Sequence, residues 1–330
     1  MRLLACPDKF RGTLSAVEAA AAIAAGAEDA GWAATTQPMA DGGEGTLDAF
    51  GGSNRTTTVT GPLGEPVEAR WRLRAGHAVI EMAEASGLVL AGGGERNDPM
   101  EATTAGTGEL VSAAAEAGAR HIVVGLGGSA TTDGGLGALK AMAPLPRFRG
   151  VDLEVACDVT TLFADAASVF GPQKGATAAQ IALLTRRLER LAEIYEREHG
   201  VAVASLPRSG AAGGLGGGLA AVGATLRDGF ELIAEEVDLY GQIEGVDLVV
   251  TGEGALDATS FEGKVVGGVW KLAEAAGVPV VAVVGTAAAS PDGGWPIDMI
   301  DLASRFGEDR ALRDAGSLVT EAVSDWLSRR

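Results

Sequence analysis

The stretch GLGGSATTDGGLGALK, Gly125 to Lys140, constrains the fold of this chain more than any other. It follows HIVVGL, a β-branched apolar run that reads as a buried strand, and it leads into GLGALKAM, which reads as the start of a helix. A glycine-rich turn joining strand to helix leaves backbone N–H groups bare at the positive end of the helix dipole. Such a place suits an anion, above all phosphate. Ser129, Thr131 and Thr132 add hydroxyls there, and Asp133 adds a carboxylate that a bound metal could use. Phosphate with metal implies a nucleotide or phosphoryl transfer. The spacing is neither GxxxxGK[ST] nor GxGxxG, so a tight turn needed only for packing stays open on this stretch alone.

The rest of the chain supplies the setting. A length of 330 residues predicts one large or two medium domains, and 47% apolar with 21% charged residues is a soluble globular balance. Aromatics are scarce at 5% and Gly is abundant at 49 residues, which suits helices packed on a parallel sheet and gives little support to base-stacking platforms. With 26 basic against 44 acidic residues, the net charge of −18 disfavours nucleic acid and anionic membrane as partners. An anionic substrate must therefore be met by local Lys, Arg, metal or backbone amides. The two cysteines, Cys6 and Cys157, each lie in an apolar strand-like run and read as reduced core residues. With no secretory signal pattern and no run of membrane-spanning length, cytoplasm is the expectation.

Other turns repeat the layout of the first. RLLACPD reads as a strand and SAVEAAAAIAAGAEDAG as a helix with Ser15 and Glu18 forming a capping box. Between them, Asp8, Lys9 and Arg11 stand at the C-terminal end of the strand, where open α/β sheets place ligands, although a solvated turn is the alternative. DGGEG sets Asp41 and Glu44 either side of a glycine pair, a pattern for Mg²⁺ or general-base work, or equally for helix capping by Asp41. The segment GPLGEPVEARWRLRAGHAVIEMAEASG alternates and carries turn signals, so it reads as an antiparallel hairpin ending near Glu81 and Glu84. VDLEVACDV reads as a strand ending at Asp158, and FGPQKGAT as a turn carrying Lys174. TAAQIALLTRRLERLAEIYEREHG predicts a helix with an apolar stripe at Ile181, Leu184, Leu188, Leu191 and Tyr195, its Arg and Glu residues forming a solvated face. Six glycines between Gly210 and Gly218, mixed with Ala and Leu, favour a helix N-terminal turn over a linker. A further strand then runs into an acidic turn with Glu253 and Asp257, followed by Lys264 and a helix.

Taken in this order, PDKFRGTLSAVEAA, PMADGGEGT, VTGPLGEPVEA, IEMAEASGL, TTAGTGEL, GLGGSATTDGG, ACDVTTLF, FGPQKGAT, GAAGGLGGGLAA and LVVTGEGALDATSFEGKVVGGV resemble the type I glycerate kinase family. The resemblance runs from the first strand to about Gly285. It implies phosphoryl transfer from ATP to a hydroxyl of D-glycerate with Mg²⁺, giving a phosphoglycerate, with the 2-phospho isomer favoured. It also implies an α/β fold of two different domains around a cleft, one flavodoxin-like and one restriction-endonuclease-like, with one inserted in the other. We place the first domain at residues 1–60 plus 285–330 and the inserted one at 61–284. A homodimer is an option.

These turns predict catalytic work by Asp8, Lys9, Arg11, Asp41, Glu44, Asp158 and Lys264. They predict nucleotide contact by Gly127, Gly128, Ser129, Thr131, Asp133, Lys174, Gly213 and Gly214, and metal ligation by Asp133, Glu253 and Asp257. The chain departs from the family pattern at Thr132, where Asn is usual, at Ala255, where Arg is frequent, and at Lys9 and Arg11, which stand for Ser and Lys. The segment before Val151 is also shorter than expected. A kinase of a related small hydroxy acid and a non-catalytic protein that binds glycerate or nucleotide are the alternatives. A dinucleotide oxidoreductase is disfavoured, because no GxGxxG follows the first strand.

Overall fold

The computed structural model describes residues 1–290 and 294–329. In chain order its strands are β1 (Arg2–Ala5), β2 (Ala33–Thr36), β3 (Arg55–Thr60), β4 (Pro66–Arg74), β5 (His77–Glu81), β6 (His121–Gly125), β7 (Asp152–Cys157), β8 (Thr225–Asp228), β9 (Leu248–Leu256), β10 (Val280–Ala287) and β11 (Asp298–Asp301). They form two sheets, and the chain divides into two units, Met1–Asp41 with Phe230–Arg330, and Gly42–Gly229. The second unit is inserted in the first.

The first unit carries the order β11-β10-β9-β1-β2 with every pairing parallel. Renumbered within the unit this is 2-1-3-4-5, the doubly wound flavodoxin-like order. Leu3, Ala5, Val250 and Val283 are buried in its core, as a parallel sheet covered on both faces requires. The helix Ala16–Asp29 opens on the expected capping box, Ser15 accepting from Glu18 N and Glu18 accepting from Ser15 N. Its Gly26 faces the helix Ala315–Leu327, where a Cβ would run into the Thr320 carbonyl, so the helices meet only because the side chain is absent.

The second unit holds a mixed sheet in the order β3-β4-β5-β6-β7-β8. The expected hairpin is β4 and β5, antiparallel and joined through Ala75 and Gly76, both with positive φ. From β5 onward the pairing is parallel. The long helix Ala178–His199 buries Leu184, Leu188, Leu191 and Tyr195 as its stripe predicts, and Thr177 with Gln180 caps it.

The domain boundaries differ from those placed near residues 60 and 285. Residues 230–284 belong with the N-terminal strand, because Leu3 pairs with Leu248 and Val281 with Asp298 in the first sheet. Residues 42–60 belong with the insertion, because β3 pairs with β4. A βα segment carries in its own sequence no mark of the sheet it will join. Parallel partners here lie more than two hundred residues apart, so local pattern could not assign them.

Candidate active site

In the first unit, β1 and β9 are neighbours at the point where the order of connections reverses. The chain leaves β1 for one side of the sheet and β9 for the other, which opens a crevice beyond their C-terminal ends. Asp8 follows β1, its N–H donating to the Gly252 carbonyl at 2.9 Å, and Glu253 is the next residue on β9. Gly254 keeps the two segments close, since a Cβ there would lie 3.0 Å from Arg11 N and 3.1 Å from Phe10 Cα.

The crevice concentrates carboxylates in a partly dry place. The Asp8 side chain is 13% exposed, with Oδ1 accepting from Lys9 N at 2.7 Å and lying 3.8 Å from Lys9 Nζ. Burial pushes its pKa up to about 6; Lys9 opposes the shift and Asp41 adds to it. Burial likewise pushes Glu253 up to about 7, against Ser260 and Lys264 and reinforced by Asp8 and Asp257. Its Oε1 is buried with no hydrogen-bond partner. The structure therefore brings Asp8, Asp41 and Glu253 into one field, with Lys9, Arg11 and Lys264 as the opposing charges. Asp257, expected as a metal ligand, caps the 3₁₀ turn Ala258–Phe261 instead, accepting from Thr259 N at 2.8 Å and Thr259 Oγ1 at 2.6 Å. Those bonds hold its carboxyl below the usual range. Lys264 Nζ donates to Thr259 Oγ1 at 2.8 Å, and Ala255 is exposed on β9.

The glycine turn of the second unit is built differently from the expectation. Asp133 Oδ2 accepts from Thr104 N, Thr104 Oγ1 and Gly137 N, and Oδ1 from Gly135 N, at 2.8–3.1 Å. The N-terminus of the helix Leu136–Met142 is thus met by the protein's own carboxylate, with Oδ2 taking three of the four hydrogen bonds and Oδ1 one. Leu126, Ala130 and Gly134 N–H groups also bond within the fold, to Ala156, Ser86 and Gly213 carbonyls. Lys174, expected on the nucleotide, is 1% exposed. Its Nζ donates to Ser129 Oγ at 2.8 Å and the Thr131 carbonyl at 2.6 Å, and burial lowers its pKa to about 7. Gly213 and Gly214 have positive φ, and a Cβ on either would run into the backbone of Thr131 or Gly134. Gly127 similarly packs on Gly43, whose Cα would lie 2.5 Å from an added Cβ. Gly128 has positive φ, and its carbonyl accepts from Leu88 N. The backbones that Gly127, Gly213 and Gly214 admit at close range are those of Gly43, Thr131 and Gly134.

The unit boundary falls inside DGGEG, with Asp41 in the first unit and Glu44 in the second. Glu44 is exposed at a cavity of about 150 Å³ shared with Arg70, Glu81 and Glu84. Glu81 is 7% exposed, accepts from Gly45 N at 3.0 Å and Leu47 N at 2.7 Å, and is pushed up to about 7 by burial. Glu84 is held in a two-point ion pair by Arg70. Asp158 is exposed at the end of β7. Arg208, which no motif flagged, lies at that strand edge, donating to the Cys157 carbonyl at 2.9 Å and to Asp228 at 3.1 Å. Its positive φ of 72° was the one signal of a constrained position, and φ is not visible in sequence.

Among the described residues no helix is long and apolar enough to cross a membrane. A family model described as the glycerate kinase family matches residues 3–145 and 143–294. The chain is 40% identical over 326 residues to a glycerate kinase of Bacillus subtilis (strain 168), covering 87% of this chain and 85% of that one. It is 39% identical over 328 residues to a glycerate 2-kinase of Escherichia coli (strain K12), with the same coverage of 87% and 85%. A crystal structure from Salmonella typhimurium LT2, assigned as a glycerate kinase 2, superposes with a TM-score of 0.84 at 34% identity, over 100% of this chain and 98% of that one.

Proposed function

The chain belongs to the glycerate kinase family, and from that premise we propose that it transfers the γ-phosphoryl group of ATP to a hydroxyl of D-glycerate, with Mg²⁺. The observation that carries the reading is the crevice at β1 and β9, where burial raises the proton affinity of both Asp8 and Glu253, Asp8 adds to the rise at Glu253, and Lys9 and Lys264 oppose it. Hard oxygen donors with an orphaned Glu253 Oε1 among them suit a hard cation, and Mg²⁺ is a cation that such donors fit. Glu253 and Asp41 would hold it, and when bound it supplies neutralisation of charge on the phosphoryl oxygens.

Asp8 is the acceptor for the proton of the attacking hydroxyl. Its raised pKa matches a base working near neutrality, and the Lys9 N–H fixes its orientation. The hydroxyl oxygen forms the new bond to phosphorus as the bond to the β,γ-bridging oxygen breaks and ADP departs. Lys9, Arg11 and Lys264 take up the carboxylate of glycerate and the developing phosphoryl charge, which a chain of net charge −18 must do locally. The 2-phospho product is favoured by likeness to the Escherichia coli relative, a glycerate 2-kinase.

The test is ADP release from ATP and Mg²⁺ with D-glycerate, L-glycerate, glycolate and lactate in turn, with the product resolved by ³¹P NMR. Turnover with D-glycerate well above the acceptor-free rate is expected. A preference for another hydroxy acid would move the acceptor assignment, and glycerate binding without ADP release would sink the kinase reading.

A further inference from the structure

In the second unit β5, β6 and β7 each open on a polar residue, His77, His121 and Asp152. His77 pairs in register with His121 and His121 with Asp152, so the three side chains stand on one face of the sheet. Glu154, two residues along β7, shares that face. The alternate positions Ala78, Ile80, Ile122, Val124, Leu153 and Val155 fill the core on the other side. Two of the chain's three histidines therefore stand in adjacent rows beside two carboxylates.

The three groups nearest one another have the spacing of a ligand set. His121 Nε2 lies 2.9 Å from Glu154 Oε2, and one ring nitrogen of His121 with one oxygen each of Asp152 and Glu154 all fall within 4.8 Å of one another. Ligands held about 2.0–2.2 Å from a tetrahedral ion stand about 3.3 Å apart, so His121 and Glu154 need only a small opening. Asp152 is exposed at the start of β7 and has room to swing in. Both inner ligands are oriented from behind. Arg227 Nη1 donates to Glu154 Oε1 at 3.3 Å, which leaves Oε2 toward His121. The His77 ring lies 9° from parallel to the His121 ring with centroids 4.4 Å apart, and so fixes its plane. Supports of this kind set the direction of a ligating imidazole or carboxylate. A proton on His121 would serve one oxygen at a time, whereas an ion serves all three groups together.

We propose that His121, Asp152 and Glu154 bind one Zn²⁺, a staple across the first residues of β6 and β7. The imidazole selects a borderline cation over Mg²⁺, which favours oxygen ligands, and three protein ligands leave the fourth position to water. The site lies at the strand ends opposite the glycine turn that follows β6, and it stands independently of the kinase reading. An ion that binds the folded sheet and not the unfolded chain stabilises the fold by mass action.

Calorimetric titration of the whole, EDTA-stripped protein with Zn²⁺, in an excess of Mg²⁺ that occupies sites built from oxygen alone, tests this. The wild type should take up one Zn²⁺ per chain and melt higher with it. His121→Ala and Asp152→Asn should each weaken Zn²⁺ at least about tenfold and lose the melting shift. Asp152 is exposed, so its variant should fold and melt like the wild type without metal, which keeps the test decisive if His121→Ala is unstable. Glu253→Gln, which alters the crevice of the first unit, should bind Zn²⁺ as the wild type does. No uptake of Zn²⁺ by the wild type overturns the proposal, as does unchanged affinity in Asp152→Asn or in a folded His121→Ala. Loss of Zn²⁺ in Glu253→Gln alone would put the ion in the crevice and overturn it equally.

Discussion

The ammonium of Lys174 is bonded to Ser129 Oγ at 2.8 Å inside the second unit, beside the Thr131 carbonyl at 2.6 Å and with almost no contact with water. A lysine so placed braces a turn. Burial lowers its pKa to about 7 against an ordinary 10.5, so between these values the unfolded chain binds the extra proton. The cost of the buried charge is complete below pH 7 and is relieved as pH rises toward 10.5, by up to about 1.4 kcal/mol per pH unit.

The first prediction follows from that sign. Lys174→Met should lose the two bonds but also the charge penalty. The stability advantage of the wild type over the variant should therefore grow between pH 7 and pH 9.5. Urea unfolding of both proteins at the two pH values measures it, and a gap that shrinks with pH would contradict the buried-cation account.

Asp8 gives the opposite pH signature. Its folded pKa of about 6 exceeds the ordinary 3.8, so the folded state holds the proton more tightly and stability falls as pH rises from 4 to 6. Asp8→Asn should melt higher than the wild type at pH 8 and no higher at pH 4. The same variant should lose about 10²–10⁴-fold in kcat, since it removes the proton acceptor. A variant that is destabilised at pH 8, or that keeps its kcat, would show that Asp8 serves the fold.

Protons and cation compete for the same carboxylates. With Asp8 near 6 and Glu253 near 7, Mg²⁺ affinity should fall on going from pH 8 to pH 5.5. Calorimetry with Mg²⁺ at the two values checks this, and Glu253→Gln should flatten the difference. Affinity independent of pH would place the cation on other ligands.

What the sequence made legible was local: the Ser15–Glu18 and Thr177–Gln180 capping boxes, the β4–β5 hairpin and the buried stripe of the long helix all rest on neighbours within a few residues. The carboxylates at the end of β1 and on β9 were also legible as turn residues, because strand ends are where open sheets gather ligands. Their meeting was not, since it depends on Leu3 pairing with Leu248. The same limit explains Asp133. Its spacing from the glycines announced an anion at a helix start, but the partner Thr104 lies 29 residues upstream, so a structural anion and a ligand-facing one look alike.

That ambiguity yields the last prediction. Asp133 accepts four hydrogen bonds, two of them from Thr104 and two from the backbone of the short helix it opens. Asp133→Ala leaves those donors buried and unpaired, each costing about 1–3 kcal/mol in part or whole, so the variant should lose several kcal/mol of stability. The loss should be the same with EDTA as with Mg²⁺, because no metal is involved. A melting temperature unchanged in EDTA but lowered relative to wild type in Mg²⁺ would return Asp133 to the metal. Asp133→Asn sharpens the comparison: one oxygen remains to accept from its neighbours while the new NH₂ meets donors, so about half the loss should persist.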